Sequence, residues 1–216
     1  MKHIDFFFDP LSPYAYLAFD ALPQALEGIS HVLAYRPLLL GAVLTHWGQK
    51  GPAEIEPKRQ WTSRQVHWLA AQQGLRLDTP VQHPFNPLAL LRLAVACTPP
   101  GQAGPNRRVT QALFQHVWEG GSDANDPARL AALASTLAPA RDPAGADVKA
   151  ALRAGTNEAI ALGVFGVPTL ACDGRLFFGQ DALPMLRAAL LGDPWFDGPA
   201  WQREGAPRAG VVRRTA

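Results

Sequence analysis

Cysteine is scarce in this chain of 216 residues, with only Cys97 and Cys172 present. They lie too far apart for a Cys-x-x-Cys pair, and two thiols alone make neither a metal-ligand set nor a disulfide framework. Charge is thin as well: Asp, Glu, Lys and Arg make up 18% of the chain and the net charge is +2. A scattered, nearly balanced set of charges lacks the basic stripe that a nucleic-acid partner requires. The short cluster Arg208, Arg213 and Arg214 reads as a solvated tail. Long apolar runs are missing too. The longest, Ala159 to Cys172, is broken by Gly163, Gly166 and Pro168 and is too short to span a bilayer. Asp5 and Asp9 flank Phe6, Phe7 and Phe8, so the N-terminal aromatic run has no signal-peptide core. These absences point to a soluble, cytoplasmic protein without a resident metal and without membrane contact. His46, His67, His83 and His116 keep no metal-ligand spacing and read as surface or satisfied core histidines.

What is present is apolar mass. Hydrophobic residues are 48% of the chain, enough for a sizeable core, and the length suits one generous domain or one domain carrying an insertion. His3 to Phe8, ended by Asp9-Pro10, reads as a buried first strand. Apolar residues at 14, 17, 18, 21, 22 and 25 give a helix from Pro13 to Glu27, closed by Gly28. His31 to Arg36 is a second strand, which completes a βαβ unit. Strand signals then vanish, and helices are expected over Lys58–Gln73, Pro87–Cys97, Asn106–Trp118, Pro127–Leu137 and Asp147–Leu162. Two strands, Thr169–Cys172 and Arg175–Phe178, flank the hairpin turn Asp173-Gly174, and a last helix runs from Asp181 to Leu191. The order is βαβ, helices, ββα. It predicts an α/β, thioredoxin-like fold with a large all-helical insertion. The domain expected is discontinuous (1–37 with 163–192), with the insertion at 38–162 and a tail at 193–216 that packs through Trp195 and Phe196.

In such a fold the working site follows the first strand, at the start of the first helix. Here that junction is Asp9-Pro10-Leu11-Ser12-Pro13-Tyr14-Ala15-Tyr16. A dithiol enzyme needs cysteines at 12 and 15, and the chain has Ser12 and Ala15, so disulfide exchange by the protein's own thiols is excluded there. Ser12 followed by Pro13 is an ordinary helix cap. The same geometry also suits a bound anion: a hydroxyl among free amides at the positive end of a helix can hold and activate a foreign thiolate. No His–Asp pair in sequence activates Ser12 as a nucleophile.

Three segments, FDPLSPYAYLA after the first strand, FGVPT at 165–169 and FFGQDALPML at 177–186, resemble the family of kappa-class glutathione transferases and 2-hydroxychromene-2-carboxylate isomerases, within the DsbA-like group of the thioredoxin superfamily. The resemblance covers roughly residues 3 to 191 and implies glutathione as cofactor. On matching positions it implies that Ser12 is catalytic and bonds the glutathione sulfur, that Val167 before a cis-Pro168 pairs its backbone with the cysteinyl unit, and that Gly179, Gln180 and Asp181 hold the γ-glutamyl end. Where the family commonly has Gly-Asn before a proline, this chain has Gly48-Gln49-Lys50-Gly51-Pro52, which makes Gln49 a ligand candidate. Lys58-Arg59 with Trp61 resembles the family's Lys-Arg-Tyr opening of the following helix, while His67-Trp68 stands where the family has an Arg-Trp pair. His83 falls where the family's pocket wall is expected. Trp47, Trp61, Trp68 and Trp118 suit either an aromatic pocket or the core. The function implied is glutathione-dependent cis-trans isomerisation of a small aromatic or chromene-type intermediate by a homodimer. The alternatives are a kappa-class-like transferase and a non-catalytic DsbA-like binding module.

Overall fold

A computed structural model of the chain describes residues 1–205. The arginines at 208, 213 and 214 lie outside the described residues. Four strands form one sheet in the order β2-β1-β3-β4: β1 (Lys2–Phe8), β2 (His31–Pro37), β3 (Thr169–Cys172) and β4 (Arg175–Phe178). β1 pairs parallel with β2 and antiparallel with β3, and β3 and β4 form the expected hairpin. Asp173 and Gly174 at its tip both take positive φ, 50° and 74°, the geometry that matches the twist of the flanking strands. β1 is central, which explains three consecutive buried phenylalanines. Phe6 and Phe8 face one core, and Phe7 points into the cluster on the opposite face.

The first helix, α1 (Pro13–Ala25), connects β1 to β2, and every helix from α2 to α7 falls between β2 and β3. These are α2 (Leu40–His46), α3 (Glu56–Gln73), α4 (Leu88–Ala96), α5 (Arg107–Trp118), α6 (Pro127–Leu137) and α7 (Ala146–Ala161). The main core joins Phe6, Phe8, Phe19 and Leu22 to Leu90 of α4 and Leu113, Phe114 and Trp118 of α5. The helical segment and the sheet therefore share one apolar interior. Phe7 instead meets Val43 of α2, Ala159 of α7, and Val164 and Val167.

Three local expectations change. The sequence reading has no helix at Leu40–His46, because no polar cap precedes it and Gly41 opens it. The last helix does not begin at Asp181: residues Gln180–Ala182 make one 3₁₀ turn, and α8 runs over Leu183–Leu190. The tail packs through more than the expected pair, since α9 (Pro199–Glu204) places Trp201 against Phe177 and Phe196, and Trp195, partly exposed, meets Phe196 and Trp201.

Candidate active site

Strand register assembles the site. Phe7 of β1 lies opposite Thr169 of β3, and Thr169 lies opposite Phe178 of β4. The segments just beyond these pairs, 9–12, 165–168 and 179–181, must then meet at one end of the sheet. Ser12 caps α1 in extended geometry (φ −87°, ψ 117°), its hydroxyl oxygen accepting the Ala15 amide at 3.3 Å. The same hydroxyl donates to the Val167 carbonyl at 3.4 Å. That is long for an O–H···O bond, so its proton is loosely held. The Val167–Pro168 peptide is cis, as the resemblance implies. No hydrogen bond to the Val167 amide forms among the described residues, while the Pro168 carbonyl takes the Gly179 amide at 2.9 Å.

Two glycines admit bulky neighbours here. A methyl at Gly179, where φ is +99°, would lie 2.3 Å from the Asp181 carboxylate, which folds back over that glycine. A methyl at Gly166 would lie 2.7 Å from the Phe178 ring. Phe178 in turn packs on Phe165 with ring centres 4.6 Å apart, and both rings remain partly open to solvent. Asp181 is exposed, and its charge adds to the burial that raises the Tyr14 phenol. The starts of α1 and of the 180–182 turn are thus neighbours.

The Ser12 loop is held by its own Asp9 and by side chains from two other places. Asp9 is wholly buried, its carboxylate accepting the amides of Leu11 and of Leu40, each at 3.0 Å. Burial without a cation pushes Asp9 up to about 7, against the pull of those two amides. Trp118 donates its indole N–H to the Pro10 carbonyl at 2.9 Å. His83, which precedes a second cis proline, Pro84, places Nε2 3.0 Å from the Leu11 carbonyl. Burial lowers the His83 pKa, and because the Leu11 carbonyl can only accept, Nε2 is the donor in this contact. Asp9 escaped the sequence reading as a site residue, although an aspartate between a buried strand and a proline, F-D-P, is a signal for it, and the Trp118 bond to the Pro10 carbonyl was not foreseen.

Ser12, Val167, Pro168, Gly179, Gln180 and Asp181 thus lie at one end of the sheet. Gln49 lies apart in this sense: it is exposed after α2, its backbone amide bonding Leu44, and its side chain bonds none of the others among the described residues. Of the tryptophans, Trp118 is core, whereas Trp47, Trp61 and Trp68 are exposed, Trp47 with its N–H on the Val164 carbonyl. Cys97 and Cys172 have thiols raised by burial, so neither is a poised thiolate. Among the described residues no group of His, Cys, Asp and Glu could hold a metal ion, and no helix is long and apolar enough to cross a membrane.

A serine at the start of α1, next to a cis-proline loop at one end of a four-stranded mixed sheet, defines a protein of thioredoxin-like fold with a hydroxyl where its first helix begins. The comparisons agree. The family profile for the DSBA-like thioredoxin domain matches residues 3–191, and the chain belongs to that family. Over 200 residues it is 29% identical to 2-hydroxychromene-2-carboxylate isomerase of Sphingobium xenophagum, covering 88% of this chain and 98% of that protein. It is 27% identical to glutathione S-transferase kappa 1 of Rattus norvegicus over 216 residues, covering 91% and 93%. A solved structure of 2-hydroxychromene-2-carboxylate isomerase superposes with a TM-score of 0.75 at 21% identity, covering 95% of this chain and all of that one, which supports the fold.

Proposed function

We propose that this protein is a glutathione-dependent isomerase of small conjugated intermediates of aromatic degradation. The observation that carries the reading is the loosely engaged Ser12 hydroxyl at the start of α1, directed at the residue before a cis proline. The residues present fit glutathione. An unpaired Val167 amide offers an edge for the cysteinyl backbone, and the Asp181 carboxylate, held in place by the freedom of Gly179, offers a partner for an α-ammonium. When bound, glutathione would supply a nucleophilic thiolate that adds to a conjugated carbon and leaves again, so that a double bond rotates while it is saturated.

The chain's own task is then orientation and charge. Ser12 turns its loosely held proton from the Val167 carbonyl to the sulfur, and the α1 N-terminus favours negative charge at that point. Asp9, Trp118 and His83 tie down the carbonyls and amides of residues 9–11, which fixes where the hydroxyl sits. The exposed pair Phe165 and Phe178 supplies flat apolar surface for a conjugated ring. The work is proposed for the cytoplasm, and a homodimer is the proposed assembly, with exposed Trp61 and Trp68 on α3 as apolar surface for it.

A transferase of the kappa type is the second reading, favoured by the rat relative at nearly the same identity. One experiment tests both. Thiolate absorbance is followed against pH for glutathione mixed with wild-type protein and with Ser12→Ala. A saturable signal at a lowered pKa, lost in the variant, supports a glutathione enzyme, and no signal overturns it in favour of a binding module. With a hydroxychromene-type substrate, glutathione recovered unchanged marks the isomerase, and stoichiometric consumption marks the transferase.

A further inference from the structure

Away from Ser12, a cavity of about 300 Å³ opens between the start of α2, α4 and α7. Its apolar lining is Leu39, Ala42, Leu88 and Leu152, and every charged residue in its lining is a cation. Lys149 and Arg153, with Asn157, recur at four-residue intervals and so share one face of α7, while Arg92 enters from α4. None of the three cations forms an ion pair among the described residues. The acids nearest in sequence are already engaged: Asp147 by Arg141, and Glu158 by Arg36. Arg92 Nε is buried and has no hydrogen-bond partner. A guanidinium N–H withdrawn from water and left unpaired is a costly arrangement, and three like charges around one mouth add repulsion. An anion would relieve both. The volume lies at the small end of ligand pockets.

We propose that this cavity is a second binding site, for a small dicarboxylate with an apolar body. Two carboxylates match cations on two helices, and the leucine floor takes the carbon skeleton. The site does not depend on the glutathione reading, because none of its lining residues belongs to the Ser12 constellation. It does adjoin that constellation: Thr156 on its wall accepts the Leu39 amide at 3.1 Å, and the next amide, of Leu40, is the one held by Asp9.

The probe is phthalate, titrated calorimetrically into the full chain at low salt. Saturable one-to-one binding is expected, weakened about tenfold or more by Arg92→Met and by Arg153→Met, since each removes a charge-assisted bond. Binding should persist at saturating glutathione and exceed that of sulfate, which carries the charge without the apolar body. Arg153 is exposed, so its variant keeps the fold and decides the matter if Arg92→Met does not fold. No saturable heat by about 10 mM phthalate, affinity unchanged in Arg153→Met, displacement by glutathione, or sulfate binding as tightly as phthalate would each overturn the proposal.

Discussion

The Ser12 hydroxyl donates to the carbonyl of Val167 across 155 positions of sequence, at a distance of 3.4 Å. The contact joins the first turn of α1 to the residue before a cis proline, and among the described residues it is the one side-chain hydrogen bond between segments 9–12 and 165–168. Its length leaves the hydroxyl available to a stronger acceptor. Ser12→Ala removes that donor and the Ala15 cap together. Loss of the cap should cost about 1 kcal/mol, read as a lower urea midpoint. The lowered thiolate pKa of added glutathione should disappear as well, whereas Ser12→Thr, which keeps the hydroxyl and the cap, should retain much of both.

Gly179 separates strain from ligand contact. Ala at Gly179 adopts a backbone region open essentially to glycine alone, at about 1–3 kcal/mol, and also drives its methyl into the Asp181 carboxylate. Gly192, with φ +84° and nothing within 4 Å of a built methyl, carries backbone strain without that collision. Both alanine variants should unfold at lower urea. Only Gly179→Ala should also weaken glutathione binding, and equal affinities in the two would remove Asp181 from the site.

The main outline was legible because its signals are local. Alternation and aromatic runs mark the strands, Asp173-Gly174 marks the hairpin, and Ser12-Pro13 and Asp126-Pro127 mark helix starts by their own side chains. Helix α2 was not legible because its capping group is not local: the carboxylate that takes the Leu40 amide belongs to Asp9. The same contact hid Asp9 as a site residue. Its importance depends on burial and on a distant amide, neither of which a spacing rule reports. Trp61 and Trp68 suited a pocket or the core equally by sequence, and burial excludes the core, since both stand in solvent.

Asp9 should write itself into the pH dependence of folding. Its pKa rises from 3.8 to about 7 on folding. Below about pH 4 the group is protonated in both states and its contribution is neutral. As pH rises toward 7 the unfolded chain gives up the proton while the folded chain retains it, so stability falls across that window and levels off above it. The loss is on the order of 4 kcal/mol. Asp9→Asn, which cannot titrate, should lack this slope. Urea unfolding at pH 5 and pH 8 measures it: the difference between wild type and variant should shift in favour of the variant at the higher pH, and a constant difference would show that Asp9 titrates normally.

His83 predicts a slope of opposite sign. Burial lowers its pKa in the folded state, with the bond to the Leu11 carbonyl pulling the other way. Above 6.5 the ring is neutral in both states. As pH falls below 6.5, the unfolded chain takes up a proton that the folded chain refuses, so stability is lost until the lowered folded pKa is reached. His83→Gln keeps an N–H donor for Leu11 but cannot titrate. It should therefore remove the acid-side loss due to His83 while leaving the Ser12 loop tied, so that glutathione binding at pH 8 stays within about threefold of wild type. His83→Ala removes the donor as well and leaves the Leu11 carbonyl unpaired, at about 1–3 kcal/mol. If the contact only filled space, both variants would bind glutathione alike. If it holds the loop that carries Ser12, the alanine variant alone should lose affinity, and the glutamine variant should rescue it.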